Sequence, residues 1–99
     1  MNYGFHRAAI AEHLDHVAFY ESQLADLGAD YLGEFDALMA RICADPDRFV
    51  LIAPPDIRKV ALKRFPFHVI YRAEATRIVV LAVAHQRRRP GYWAGRISR

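Results

Sequence analysis

The residue pattern predicts an α+β fold: an N-terminal helical hairpin packed on one side of a small, twisted, mainly antiparallel β-sheet. Three observations lead there. The first half repeats apolar residues at helical spacing in two stretches, three prolines interrupt residues 45 to 56, and the second half holds three apolar runs of strand length. Ninety-nine residues suit one compact domain spanning 1–99.

Along the chain, Tyr3 and Phe5 alternate with Asn2 and Gly4, which predicts a short first strand turning at His6. From Ala8, the positions Ile10, Leu14, Val17 and Leu24 recur with helical period, leaving Glu12, Asp15 and Glu21 for the wet side. This helix is expected to end near Leu27. Gly28 is placed to stop it in a left-handed conformation, and Asp30 to help start the next. The second helix carries Tyr31, Phe35, Leu38 and Ile42, flanked by Leu32 and Met39, and Pro46 prevents its continuation beyond Ala44 or Asp45. Residues 45–56 read as a connector whose Phe49–Ile52 portion lies on the core.

Strands are predicted over Ile57–Lys63, Phe65–Arg72 and Arg77–Ala84, with a hairpin turn at Ala73–Thr76. In the middle strand Phe65, Phe67, Val69 and Tyr71 share the core face, with His68, Ile70 and Arg72 opposite. The last, Ile78 to Ala84, is apolar throughout, as a strand covered on both sides should be. Uninterrupted alternation aligns His85 with Val79, Leu81 and Val83.

Composition excludes several classes of function. A lone Cys43 rules out an internal disulfide and, with no Cys-x-x-Cys pair, thiolate zinc sites; on its apolar helix it reads as an inert thiol. The N-terminal stretch lacks a signal-peptide core and no run is long and apolar enough to span a membrane, so a cytoplasmic protein is expected. His13 and His16 stand one turn apart, but nothing completes a metal site, and neither metal nor cofactor is expected. Phosphate-binding loops and Gly-x-Ser-x-Gly elbows are missing.

Charge is segregated. Residues 1–56 carry ten acids against three bases, while residues 57–99 carry eleven bases against Glu74 alone. One face should therefore be strongly positive and meet an anionic partner, either nucleic acid or an acidic protein segment. The densest basic run, Arg87-Arg88-Arg89, precedes Pro90 and the aromatics Tyr92 and Trp93. Cations beside stacking rings suit single-stranded nucleic acid, although Trp93 is also large enough to close over the core. Lys59, Lys63, Arg64, His68 and Arg96 extend the positive set expected to bind a target or inhibitor. His85, held at a strand end, could serve as a proton acceptor, with Arg64 or Arg72 steadying a phosphate and Tyr92 supplying a proton. The plainer reading of His85 is a histidine satisfying the local backbone.

The ordered segments Leu62-Lys-Arg-Phe-Pro-Phe-His-Val-Ile-Tyr71 and Val83-Ala-His-Gln-Arg-Arg-Arg-Pro-Gly-Tyr-Trp93, following a helical hairpin and the Asp45-Pro46 break, resemble the RelE/ParE superfamily of bacterial toxins from type II toxin–antitoxin modules. That resemblance implies a cytoplasmic toxin neutralised by a cognate antitoxin whose C-terminal part wraps it. It offers two activities: RelE-like cleavage of messenger RNA in the ribosome, or ParE-like growth arrest through DNA gyrase. Where RelE-like members commonly carry arginine in the middle strand this chain has His68, and His85 to Arg88 forms a His-x-x-Arg ending similar to ParE-type and plasmid-stabilisation relatives, while Tyr92 matches the RelE-like C-terminal tyrosine. The expectation is ParE-like gyrase inhibition. Under the RelE-like alternative His85, Tyr92, Arg64 and Arg72 would be catalytic, and a third possibility is a non-toxic nucleic-acid-binding module.

Overall fold

The structure, a computed structural model, describes residues 1–97. Strand β1 (Asn2–Phe5) leads into helices α1 (Arg7–Gln23) and α2 (Leu27–Ala44), followed by strands β2 (Val50–Ala53), β3 (Ile57–Ala61), β4 (Phe67–Ala73) and β5 (Arg77–His85), and a short 3₁₀ turn at Ala94–Arg96. The five strands form one sheet in the order β1-β5-β4-β3-β2, with β1 parallel to β5 and the other neighbours antiparallel. The helical hairpin covers one face, and the segment after β5 folds back over the other.

Helix α1 starts at His6, whose extended backbone and Nδ1, accepting the Ala8 N–H at 3.1 Å, cap the first turn. It ends earlier than expected, at Gln23, and the left-handed residue of the hairpin is Asp26 at φ 71° rather than Gly28. Gly28 lies in the first turn of α2, where the helices cross so closely that a Cβ would stand 2.9 Å from the Val17 carbonyl oxygen. Glu21 of α1 closes the turn by accepting the N–H groups of Asp26 and Gly28, so one helix caps the other.

The apolar seam of α2 is the expected one, with Tyr31, Phe35, Leu38, Met39 and Ile42 buried. That of α1 is not. Ile10, Leu14 and Leu24 are 39%, 57% and 65% exposed, and the inward stripe is Ala9, His13, His16, Val17 and Tyr20. Histidine and tyrosine serve as core rings here because their polar tips find partners. His13 Nδ1 pairs with the Tyr31 hydroxyl at 3.1 Å, and His16 Nε2 donates to the Val83 carbonyl at 2.9 Å while its ring stacks on Phe67 at 3.9 Å.

The supposed connector contains an edge strand, since β2 pairs with β3, and Phe49 beside it packs on the core. The Tyr71 hydroxyl donates to the Pro46 carbonyl at 2.6 Å and fixes the connector to β4. Strand β4 begins at Phe67 rather than Phe65 because Pro66 has no N–H for the ladder, although Phe65 is still buried in the core. In β5 the register slips: Ile70 faces Ala82 while Tyr71 faces Val80, leaving Leu81 as an extra residue. This bulge reverses the alternation beyond it. Ile78, Val80 and Val83 face the helices, while Leu81, Ala82 and Ala84 join Ile57, Ile70 and Trp93 on the opposite face. The alignment of His85 with Val79 and Leu81 is therefore overturned; His85 shares the helix-side facing of Val83, edge-on to Phe67 at 5.6 Å.

Candidate functional site

β1 covers β5 only from Arg77 to Val80, so the rest of that edge needs other partners. Side chains supply them. The His6 N–H donates to Val80 O, Arg96 to Leu81 O at 2.9 Å, His16 to Val83 O, and the Val83 N–H donates to Glu12 Oε1 at 3.0 Å. Glu12 also accepts the Tyr92 hydroxyl at 2.8 Å and both terminal nitrogens of Arg96 at 3.0 and 2.9 Å. Burial would raise its carboxyl pKa, but the hydrogen bonds from Arg96, Tyr92 and the Val83 amide outweigh it and hold the group below its ordinary value. Desolvation and the bond to Glu12 push the Tyr92 phenol up to about 12. Glu12 was expected on the wet side. Its one sequence signal is its place one turn before His16, on the stripe that turns inward.

The segment pinned this way, residues 88–97, crosses the open face of the sheet and encloses a pocket of about 480 Å³. The floor is Ile52, Ile70 and Ala84, and Tyr92 and Trp93 form a wall. Lys59, His68, Arg88 and Arg89 supply the polar lining, His85 borders it at the end of β5, and no carboxylate among the described residues contributes to it. Arg88 lies 4.0 Å over the Tyr92 ring. Burial, reinforced by Lys59, holds the His68 imidazole below its usual pKa and so favours its neutral form. His85 is exposed, and its Nδ1 accepts the Arg87 N–H at 3.0 Å. A backbone N–H can only donate, so Nδ1 is the acceptor and in the neutral ring Nε2 carries the hydrogen. The arrangement can hold an anion with an apolar or aromatic portion.

The pocket unites Lys59, His68, His85, Arg88, Arg89, Tyr92 and Trp93 of the predicted residues, with exposed Arg87 beside it. Trp93 is largely spent on covering the sheet, 9% exposed. Other predicted residues go elsewhere. Arg64 pairs with Glu34 at 3.4 Å, and the Lys63 and Arg64 amides both donate to that same carboxylate, all lining a separate groove beside α2. Arg72 lies 3.7 Å from Asp56 and donates to the Ile97 carbonyl at 3.2 Å. It is five residues along β4 from Phe67, the partner of His85, or roughly 16 Å at the rise of a strand. Arg96 is the cation of the Glu12 cluster. The segregated charge thus divides. Arg58, Arg64, Arg72 and Arg96 are matched by acids, while Lys59, Arg88 and Arg89 face the pocket with no ion-pair partner among the described residues. No group of three or more metal-ligating side chains gathers among the described residues.

A helical hairpin on a mixed five-stranded sheet, with a basic pocket under a C-terminal strap, defines a small α+β protein. The family model described as "ParE toxin of type II toxin-antitoxin system, parDE" matches residues 3–90, and the chain belongs to that family. Among solved structures, it is similar in fold to a chain of a chromosomal ParDE TA system from P. aeruginosa, with a TM-score of 0.71 at 17% identity over 86% of this chain and 95% of that one. No curated protein matches at a significant level.

Proposed function

We propose that this chain is the toxin of a type II toxin–antitoxin module, held inactive in the cytoplasm by a cognate antitoxin and arresting growth, once freed, by inhibiting DNA gyrase. The observation that carries this reading is that Arg64 and Arg72, the cations a nuclease would need, lie apart from the pocket that holds His85 and Tyr92. Arg64 pairs with Glu34 on a separate groove, Arg72 lies beside Asp56, and the Tyr92 hydroxyl donates a hydrogen bond to Glu12, with its pKa pushed up to about 12. His85 turns its Nδ1 onto the Arg87 N–H. Shape and charge at the pocket favour binding over proton transfer. Lys59, Arg88 and Arg89 then work as a recognition surface, and an acidic antitoxin segment would neutralise it. Plasmid stabilisation would be one biological use of such a module.

Purified chain should block supercoiling by gyrase and leave ribosome-bound messages intact, and its induced expression should give filamented cells with a DNA-damage response. His85→Ala should weaken the effect without abolishing it. Cleaved messages together with unimpaired gyrase would reverse the assignment in favour of the endonuclease, for which loss of His85 should cost about 10² to 10⁴ in rate.

A further inference from the structure

We infer that Glu12 is a positioning residue for the basic pocket: from α1 it clamps the C-terminal strap against the outer edge of β5, so that Tyr92 and Trp93 stand as the pocket wall. The inference rests on the reading of that pocket as the target-facing surface.

One carboxylate joins three elements. Oε1 accepts from the Val83 N–H and from Arg96, both at 3.0 Å, while Oε2 accepts from Tyr92 at 2.8 Å and Arg96 at 2.9 Å. The Glu12 and Arg96 side chains are 15% and 16% exposed, so the pair is sheltered from competing water. The strap has little order of its own. Its backbone hydrogen bonds are local turns, from Arg88 to His85 at the end of β5, Tyr92 to Arg89, Ala94 to Gly91, Arg96 to Trp93 and Ile97 to Ala94, and past Arg88 none among the described residues reaches a strand. Its place over the sheet is therefore set by side chains: Trp93 in the satellite core, Arg72 on the Ile97 carbonyl, and the Glu12 clamp. Of these tethers, the clamp is the one that hydrogen-bonds the Tyr92 hydroxyl, while the ring packs on the satellite core. Arg88 stacks on Tyr92 and takes its position from the same ring. Removing the carboxylate would also strand Arg96 half-buried without its anion, a second reason for the strap to leave.

The test uses the full chain and the fluorescence of Trp93, its single tryptophan. Glu12→Ala should shift the docked-to-released balance of the strap by roughly ten- to a hundredfold, the scale of hydrogen bonds to charged groups. Trp93 emission then moves to the red and quencher access rises, while far-ultraviolet circular dichroism keeps the wild-type shape and growth arrest is lost. Glu12→Gln, which retains an acceptor, should restore much of the docking. Arg96→Met breaks the clamp from the strap side without altering α1 and should reproduce the release, with the double variant no worse than either single one. Trp93 still shielded in Glu12→Ala and Arg96→Met overturns the inference, as does a released strap with undiminished growth arrest. If Glu12→Ala fails to fold, Arg96→Met decides by the same readouts, and collapse of both would make Glu12 a plain structural support. A wild-type chain that arrests no growth, beside variants that release Trp93, counts against the toxin reading and leaves the clamp standing.

Discussion

Lowering the pH from 7.5 to 5.5 should destabilise this protein through the two histidines built into its core. Burial holds both His13 and His16 below their usual pKa; for His13 the neighbouring His16 adds to the effect while Asp36 opposes it. His16 donates to the Val83 carbonyl and lies near Glu12 and Asp15, all of which favour its charged form, yet desolvation prevails, with His85 adding to it. A base whose folded pKa is depressed makes the unfolded chain bind more protons. Stability is therefore complete above the unfolded value, near 6.5, and is lost as the pH falls from there toward the folded one. Each histidine can contribute a slope of at most about 1.4 kcal/mol per pH unit, so one unit below 6.5 should remove about 1 to 3 kcal/mol in all. For a domain of this size that amounts to roughly 5 to 20 °C in Tm. Urea melts followed by circular dichroism at pH 7.5, 6.5 and 5.5 measure it. His16→Gln, which keeps a donor for Val83, should flatten the slope. Stability that is constant or rises between pH 7.5 and 5.5, or an unchanged slope in the variant, would refute the reasoning. Glu12 acts in a lower window: its depressed pKa gives stability present above its ordinary value and lost as the pH falls through the folded one.

Glycines in α2 should respond oppositely to alanine. Gly28→Ala forces a methyl group against the Val17 carbonyl and should cost about 1 to 3 kcal/mol, whereas Gly33→Ala, with nothing within 4 Å of the new Cβ, should gain about 0.5 to 1 kcal/mol in thermal melts. Phe35→Ala, at a fully buried ring among Phe5, His13 and Tyr31, should lose about 3 to 5 kcal/mol in the same assay. Replacing Arg88 and Arg89 together by alanine should leave the melting curve nearly unchanged. It should slow association with an anionic partner and flatten the salt dependence of the on-rate measured by stopped flow.

Much of the architecture was legible because it follows from simple periodicities. The seam of α2, the proline stop at Pro46, the turn after Ala73 and the hairpin-on-sheet arrangement all came from spacing alone. The face of α1 was misread because hydropathy treats histidine as polar. His13 and His16 bury their rings once Tyr31 and the Val83 carbonyl take their nitrogens, and those partners lie 18 and 67 residues away. Much of the pocket lining was visible as a basic and aromatic run. That Arg64 and Arg72 are spent on Glu34 and Asp56, and that Glu12 gathers the strap, depends on contacts between segments 16 to 84 residues apart, and no local pattern reports them.

The additional residue at Leu81 also bears on how roles are carried between members of the family. Upstream of it, matching positions by sequence keeps inward with inward. Downstream, a relative with an unbroken ladder would project the counterpart of His85 toward the opposite side of the sheet. Chemistry assigned to that position by column matching would then belong to a different surface altogether. Superimposed strands, rather than aligned letters, are the sound basis for any such transfer past this point.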